Sequence, residues 1–266
     1  MRILRLGAFA LGLWTAWGSA AALESYALYD NFSAATLDPV RWQDAERSRL
    51  VAGKTLRLTQ RDWGLTASDA GSNWLSFSQA MTRSGPATQV RAQVRPMALD
   101  MTACAANATP TRVLARVHGT FFNTGNRIAG SNVGDVYARI YTVRYSNSAD
   151  APGVLRVEGQ LFMCTVADCH DATQLGATVA LGTVNLGTST LLQIDWDRAN
   201  RQFLFSRDKA APTALAYSVD DSAEPGAPFK GVGTQTYVAN CASGPRATAY
   251  IDAKFDNVEV NASAKP

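Results

Sequence analysis

The sequence predicts an all-β protein built as a sandwich or barrel of antiparallel strands. Almost every apolar segment after residue 50 alternates with a period of two, which is typical of strands with one buried face. These segments are bounded by Gly, Asn, Asp, Ser or Pro, the residues that favour turns. Since no long amphipathic helix accompanies them, the many short strands and polar turns indicate a sandwich or barrel.

Ten segments fit the strand pattern, in chain order. They are Leu50–Leu58, Trp74–Phe77, Thr88–Pro96, Arg112–Phe122, Val136–Tyr145, Val154–Met163, Thr190–Trp196, Gln202–Arg207, Gln235–Asn240 and Ala247–Val260. The segment from Leu191 to Arg207 predicts a hairpin, because the Asp and Asn of its turn bond their own backbone and tolerate left-handed conformations. The stretch from Asp220 to Gly233 holds several Pro and Gly residues and predicts a long loop.

Composition limits the classes of function. The chain has 266 residues, of which 47% are hydrophobic, so it can bury a sizeable core. Of its 25 basic residues, Arg2 and Arg5 lie in a segment that we expect to be removed, which leaves 23 against 22 acidic residues. Such a nearly neutral chain gives no reason to expect nucleic acid as a partner.

The N-terminus has the form of a secretory signal. Met1–Leu6 carries two arginines, Leu6–Trp17 is apolar and uncharged, and Gly18–Ala22 contains only small residues. A retained membrane anchor is disfavoured because the apolar run is shorter than the roughly 20 residues that span a bilayer, and no later stretch is long enough. We therefore expect a signal peptide over residues 1–22 and one secreted or periplasmic domain over residues 23–266.

Four cysteines in an oxidising compartment are expected to form disulfides. Three pairings are open, but Cys164 and Cys169 are close enough to close a small loop, which leaves Cys104 for Cys241. The string Cys164-x4-Cys169-His170 is also a lengthened form of a haem-attachment motif and a partial zinc set. A fourth zinc ligand of the right type is absent nearby, so two structural bridges are expected.

Both ends of the chain carry motifs that indicate a particular sandwich. The motifs are Tyr29-Asp30-Asn31-Phe32-Ser33, then Leu37-Asp38-Pro39-Val40-Arg41-Trp42, and finally Ala253-Lys254-Phe255-Asp256-Asn257-Val258-Glu259-Val260. Together with the hairpin, they resemble the concanavalin A-like lectin and glucanase jelly rolls. The resemblance implies a two-sheet antiparallel jelly-roll sandwich, a groove on the solvent side of its bent inner sheet, and a carbohydrate polymer as partner.

One chemistry of that superfamily is not expected here. Laminarinase-like members carry a Glu-x-Asp-x-x-Glu strand, in which alternate residues place the nucleophile and the acid on one face. The glutamates of this chain stand only at positions 24, 46, 158, 224 and 259. Because no two of these glutamates have the spacing of that motif, we do not expect retaining glycosidase chemistry of that kind.

An arginine-rich polar face is predicted on four segments if their small and aliphatic residues face the core. The outward residues expected to bind ligand are Arg91, Gln93, Arg95, Arg112, Arg116, His118, Tyr137, Arg139, Arg156 and Glu158. If the four strands lie side by side, this face suits a carboxylated or sulfated glycan through forked hydrogen bonds. The alternative is that the arginines only cover a solvated sheet and pair with Glu158 or nearby Asp.

The function expected first is an exported, lectin-like protein that binds a glycan without cleaving it. A polysaccharide lyase is the alternative, since jelly-roll alginate lyases neutralise a uronate carboxylate with Arg or Gln and move protons with His or Tyr. The resemblance would assign neutralisation to Arg112 or Arg116 with Gln93. It would assign base and acid roles to His118, Tyr137 and Tyr141, although the Arg-x-Glu-x-Arg and Gln-x-His strings of those lyases are absent. A structural envelope protein without glycan binding is the third hypothesis.

The resemblance also implies a structural calcium ion. Asp30 and Asp256 would be neighbours if the first and last strands pair, and hard carboxylate oxygens suit Ca²⁺. The two Asp residues could instead cap turns. No other cofactor is expected, because the usual hydrolase and nucleotide-binding signatures are missing. Trp63 and Trp74 could stack on sugar rings or belong to the core.

Overall fold

A computed structural model describes residues 45–81 and 87–264 of the chain. In these ranges the chain forms fourteen strands and one short 3-10 helix at Ala262–Ala264. The expected signal peptide and Asp30 lie outside the described residues. Within the described part, no helix has the length and hydrophobicity needed to cross a bilayer.

The strands are β1 (Ala45–Ala52), β2 (Thr55–Trp63), β3 (Ser72–Ala80), β4 (Gln89–Met101), β5 (Arg112–Asn123), β6 (Asp135–Tyr145), β7 (Val154–Cys164), β8 (Ala172–Gln174), β9 (Val179–Asn185), β10 (Thr190–Asp197), β11 (Gln202–Arg207), β12 (Thr213–Ala216), β13 (Lys230–Ala239) and β14 (Thr248–Val260).

The strands form two antiparallel sheets that pack face to face. The back sheet has the order β1-β2-β14-β4-β10-β11-β12. The front sheet has the order β3-β13-β5-β6-β7-β8, and β9 also pairs with β7. The predicted fold class, an all-β sandwich of two antiparallel sheets, is therefore confirmed.

The core lies between the sheets and follows the period-two pattern of the sequence. On β5, Val113, Ala115 and Val117 are fully buried in this core, whereas Leu114 between them belongs to a separate apolar cluster on the opposite face. At Gly159 on β7, a Cβ atom would lie 2.7 Å from the ring of Phe205 on the back sheet. Glycine at this position therefore lets a large aromatic ring fill the space between the sheets.

The first predicted strand, Leu50–Leu58, is wrong because the chain reverses in its middle. Gly53 and Lys54 have φ angles of 57° and 61°, the left-handed values of a two-residue type I′ turn. The hairpin β1-β2 surrounds this turn. The predicted long loop also ends earlier than expected, since β13 begins at Lys230. The later hairpin is confirmed as β10 paired with β11.

Both predicted disulfides are present. Cys104 follows β4 of the back sheet, Cys241 follows β13 of the front sheet, and the bridge between them joins the two sheets. Cys164 and Cys169 close a small loop after β7. The first bridge spans a sequence separation of 137 residues and the second only 5, so the first constrains the unfolded chain far more.

The two bridges should contribute unequally to stability. Replacing Cys104 and Cys241 together by Ala should lower the free energy of unfolding by about 5 kcal/mol in the chain-entropy account, whereas the Cys164→Ala/Cys169→Ala pair should lose about 2 kcal/mol. Urea unfolding of both double variants under identical conditions measures the difference. Equal losses would contradict the view that the first bridge is the main covalent link between the sheets.

Candidate functional site

A groove of about 670 Å³ lies on the outer face of the front sheet. Its floor comes from β3, β13, β5, β6 and β7, and its walls come from the segments around Phe229 and His170. This volume is in the range of sites that enclose a small ligand or part of a polymer. Because alternate strand residues share a face, one set of side chains from five adjacent strands meets in it.

Arg116 on β5 lies at the centre of the floor. Its Nη1 donates to Tyr137 Oη at 3.0 Å and also to Gln235 Oε1, and its Nη2 donates to Ser76 Oγ. Only 5% of Arg116 is exposed, and burial lowers the pKa of its guanidinium. The charge of Arg139 lowers that pKa further. Among the described residues, all acceptors of this guanidinium are neutral.

Arg139 on β6 lies beside Arg116 and is held in the same way. Its Nε and Nη2 donate to Gln160 Oε1 at 3.0 and 2.6 Å, and its Nη1 donates to Gln235 Oε1 and Tyr237 Oη at 3.2 Å each. Gln235 Oε1 therefore accepts from both guanidinium groups. Among the described residues, neither arginine has a carboxylate within ion-pair distance.

His118 and Tyr137 form a hydrogen-bonded pair next to Arg116. The Tyr137 Oη and His118 Nδ1 atoms are 2.7 Å apart. Burial lowers the pKa of His118 well below its usual 6.5, and the charges of Arg116 and Arg139 act in the same direction. His118 is therefore a neutral imidazole at physiological pH, and its buried Nε2 has no hydrogen-bond partner in the described structure.

Tyr237 on β13 has an unusually acidic phenol. Burial by itself would raise its pKa, but the guanidinium groups of Arg139 and Arg112 outweigh burial and hold the pKa below 10.0. Arg112 lies over the Tyr237 ring at 3.9 Å from its centroid. A cation on the ring face stabilises electron density in the phenol, which agrees with the direction of this shift.

Aromatic rings border the charged floor on several sides. Trp74 stacks beside the Tyr237 ring with centroids 6.2 Å apart and an angle of 28° between the planes, and Phe229 covers His118 with centroids 4.7 Å apart. Phe162 lies 4.8 Å from the Arg139 guanidinium. Since sugar rings have apolar faces that pack on aromatic side chains, the groove joins stacking surfaces to a cationic centre.

One rim of the groove carries a histidine between two carboxylates. His170 Nδ1 lies 2.8 Å from Asp168 Oδ1, and His170 Nε2 lies 3.2 Å from Asp171 Oδ2. The hydrogen bond with Asp168 and the two acidic charges raise the pKa of His170. The Cys164–Cys169 bridge lies directly before this histidine, so the loop holds it at the edge of the groove.

The structure brings together only part of the predicted ligand-binding set. Three of the four predicted strands are neighbours, as expected. They carry Arg112, Arg116 and His118, then Tyr137 and Arg139, then Arg156 and Glu158. The prediction that β4 joins them is wrong, because β4 pairs with β14 and β10 in the back sheet. The three predicted residues of that strand therefore lie on the opposite side of the sandwich. They are Arg91, Gln93 and Arg95.

Three further predicted residues lie beside the groove or under it rather than in it. Tyr141 is 1% exposed, lies beneath the Arg139 guanidinium and donates to Glu158 Oε2 at 2.9 Å. Glu158 is thus occupied by a phenol, and Arg156 pairs with Asp150 at 2.8 Å. This placement argues against Tyr141 as a catalytic acid and against Arg156 and Glu158 as direct ligand contacts.

Two central residues, Gln235 and Tyr237, were not predicted. Their strand was expected to start at Gln235, so the alternation of Gly231, Gly233, Gln235 and Tyr237 on one face was not recognised as part of the polar surface. The two tryptophans also differ: Trp74 lines the groove, whereas Trp63 is 4% exposed and belongs to the core.

The described residues do not assemble a calcium site. Asp256 lies on the back sheet, where its Oδ1 accepts from the Asn257 amide at 2.7 Å, and its expected partner Asp30 is outside the described ranges. Asp69 approaches Cys104 and Cys241, but both sulfurs are bonded to each other and its carboxylate accepts from two backbone amides. Calcium stays a prediction.

No protein-family model matches the chain, and no curated protein matches it. Solved structures similar to it include a polysaccharide lyase of family 18, aly-SJ02, with 10% identity, a TM-score of 0.36, and coverage of 82% of this chain and 94% of that one. The kappa-carrageenase from Pseudoalteromonas carrageenovora, in complex with an oligosaccharide of kappa-carrageenan, has 8% identity and a TM-score of 0.34, and the match covers 85% of this chain and 92% of that one. The carbohydrate recognition domain of Emp46p has 9% identity and a TM-score of 0.34, and the match covers 80% of this chain and 87% of that one.

All three belong to the concanavalin A-like jelly-roll superfamily, which the end motifs of this chain also resemble. With TM-scores below 0.5, these likenesses carry no argument about activity. The function proposed below rests on the groove.

The neutral state of His118 predicts how stability depends on pH. Because its pKa in the folded protein lies well below the unfolded value of 6.5, the unfolded chain takes up this proton first. Stability is therefore full above pH 6.5 and falls as the pH drops through that value, by at most about 1.4 kcal/mol per pH unit from this group. Between pH 7.5 and 5.5, the wild type should lose about 1 kcal/mol more than His118→Gln in urea unfolding.

His170→Gln is the matched control. The pKa of His170 is raised, so His170 contributes stability that is present below pH 6.5 and lost as the pH rises. Between pH 7.5 and 5.5, His170→Gln should therefore lose more stability than the wild type, whereas His118→Gln should lose less. If His118→Gln and wild type show the same pH dependence, His118 is not a buried neutral group.

Proposed function

We propose that the protein binds an acidic polysaccharide in the groove of the front sheet. The observation that carries this proposal is the pair of buried guanidinium groups that share Gln235 Oε1 without a carboxylate partner in the described structure. A buried charge without a counter-charge costs several kcal/mol. A carboxylate or sulfate that binds there supplies the counter-charge and so recovers part of that free energy. Arginine is also the side chain whose planar donors best match such anions.

The surroundings of the two arginines support a sugar as carrier of the anion. Trp74 and Phe162 stand on different sides of the charged centre and offer flat apolar surfaces for the rings that flank the anionic unit. Ser76, Ser78 and Gln160 add neutral polar groups for hydroxyls. An acidic polymer with regularly spaced charges could therefore place one charge on the arginines and its neighbouring rings on the aromatics.

The proposal includes a location outside the cytoplasm. The N-terminal pattern is typical of an export signal, and two disulfides accord with an oxidising compartment. An exported protein has access to polysaccharides of the cell envelope and of the medium. The secreted or periplasmic location thus fits the proposed partner.

Removing one central guanidinium should weaken binding strongly. Arg139→Gln keeps a polar side chain of similar length but removes the charge, so affinity for a polyuronate such as alginate should fall at least about tenfold, as expected for a lost charged hydrogen bond. Gel retardation and titration calorimetry at fixed low salt measure the affinity.

The matched control for this variant is Arg91→Gln. Arg91 is an exposed arginine of the back sheet that pairs with Glu259 at 2.6 Å. This control should bind alginate in the groove as wild type does, and neutral dextran should bind to neither protein. Loss of equal size in both folded variants would contradict the assignment of the groove.

A second function, a β-eliminating lyase, is favoured by the arrangement around Tyr137. Its Oη lies 2.7 Å from His118 Nδ1 and 3.0 Å from Arg116 Nη1. With a uronate carboxylate on the arginines, the sugar C5–H bond becomes more acidic. In this reaction Tyr137 passes its phenolic proton to His118 Nδ1 and takes the C5 proton on Oη. The C4–O bond then breaks and a C4=C5 double bond forms. The leaving oxygen takes the proton from Tyr137 Oη, which regains its own proton from His118 Nδ1.

In this mechanism the roles differ from those expected from the sequence. His118 is 3% exposed and covered by Phe229, so it cannot easily touch the sugar. Tyr137 is the catalytic residue, and His118 is a positioning residue that accepts its proton. Burial raises the pKa of Tyr137, so the phenol is protonated before reaction and needs such an acceptor.

A lyase would show itself by the absorbance of unsaturated uronate at about 235 nm, and Tyr137→Phe should abolish that signal by removing the general base. Alginate binding by this variant should persist, because the arginines remain. Tyr145→Phe is the control, since Tyr145 stands on the same strand but bonds Glu158 rather than lining the groove. If the wild type binds alginate and related polyuronates with no rise in absorbance, the lyase hypothesis is wrong and the binding function stands.

A further inference from the structure

A second polar depression, of about 500 Å³, lies on the outer face of the back sheet. Its lining includes Lys254 and Asp256 of β14 and Gln93 and Arg95 of β4. The β1-β2 turn at Gly53 contributes one edge. The depression is thus on the side of the sandwich opposite to the groove, and it contains two of the arginine-rich-face residues that the groove does not use.

Three basic residues stand in one row across this sheet. In the strand register, Lys254 lies directly opposite Arg57 of β2 on one side and Arg95 of β4 on the other. Like charges that are directly opposite on one face destabilise a sheet. A row that breaks this rule without an evident structural gain is a common sign of a functional site.

The two outer cations of the row have partners, whereas the central one has none among the described residues. Arg57 forms a bidentate ion pair with Asp252, in which Nε and Nη2 donate to Oδ1 and Oδ2 at 2.8 and 2.7 Å. Arg95 donates its Nε to the carbonyl oxygen of Gly187 at 2.6 Å, which leaves its terminal nitrogens for other contacts. Lys254 is half-buried in the depression with no hydrogen bond or ion pair in the described structure.

Gln93 and Asp256 place hydrogen-bonding groups next to the free ammonium. Gln93 Oε1 accepts from Ser189 Oγ at 2.9 Å, an arrangement that turns the amide oxygen to the protein and leaves the Gln93 NH₂ without a partner among the described residues. Asp256 offers a carboxylate oxygen to a hydroxyl. Cations, an amide donor and an acceptor within one small depression suit a sugar that bears a single anionic group.

We propose that this depression is a second binding site, which takes a monosaccharide unit carrying a carboxylate or a sulfate. The anion lies between Lys254 and Arg95, and the hydroxyls of the sugar bond Gln93 and Asp256. Because the two sites lie on opposite faces, they work independently of each other. The protein can then hold two polymer segments at once, and such bivalence raises the apparent affinity for a polymer without new contacts.

Amide chemical-shift titrations of the isotope-labelled mature protein test this site directly. Glucuronate and glucose 6-sulfate are the two probes, and glucose is the neutral control. In the wild type, either anionic probe should shift amides around Lys254 and Gln93, and comparison of the two probes shows which anion is preferred. Lys254→Gln should weaken binding at these amides at least about tenfold, as expected for a lost charged contact.

Matched variants separate the second site from the groove and from general charge effects. Lys209→Gln removes one positive charge from the exposed turn between β11 and β12 and should leave both sites as in the wild type. Arg139→Gln should impair the groove and leave the shifts near Lys254 unchanged, so failure of the groove and failure of this site are distinguishable. If Lys254→Gln and Lys209→Gln bind the probes equally well at these amides, or if neither probe shifts them in the wild type, the second site is disproved.

Stability measurements on the same variants exclude a structural role for the lysine. Since Lys254 stands between two like charges, Lys254→Gln should leave the urea midpoint unchanged or raise it. A substantially lower midpoint would show that the lysine holds the sheet together, and the proposal would be overturned.

Discussion

Two positive charges buried side by side are the constraint around which the front sheet is built. Arg116 and Arg139 come from adjacent strands, and Gln235 from the next strand accepts hydrogen bonds from both. On the other face of the same strand, Thr236 donates to Asp62 at 2.6 Å. The strand is thus hydrogen-bonded from both sides by side chains. A shift of its register by one residue would turn Gln235 into the core and remove the acceptor that both guanidinium groups share.

The fold holds these charges in place with neutral acceptors, and this arrangement has chemical consequences. A carboxylate paired with the two arginines would neutralise their charge and weaken their attraction for an acidic ligand. Amide, phenol and hydroxyl oxygens instead keep the guanidinium groups in place and leave their charge available. Burial, together with the same charges, lowers the pKa of His118 and keeps it neutral, and the charges hold the pKa of Tyr237 below its usual value. One electrostatic arrangement therefore influences the protonation states around it and supports the proposed class of ligand.

Local features could be predicted from the sequence, whereas long-range ones could not. The period-two alternation identified the fold class, the β10-β11 hairpin and the inward and outward faces of β5, β6 and β7, because each depends on residues close in the chain. The sheet to which β4 belongs depends on pairing with β14, about 160 residues away in the chain, and alternation carries no information on such partners. Tyr141 has the same outward position in the pattern as Tyr137, yet a contact with Glu158 on the neighbouring strand removes it from the surface.

The central claim is that the two buried guanidinium groups bind the anionic group of a sugar. A crystal structure of the protein with a short uronate oligosaccharide tests this claim most directly. The account predicts one carboxylate within hydrogen-bond distance of both Arg116 and Arg139, with a neighbouring ring on Trp74 or Phe162. An oligosaccharide that occupies the groove with its carboxylates turned to solvent, or that leaves the groove empty at saturating concentration, would contradict it.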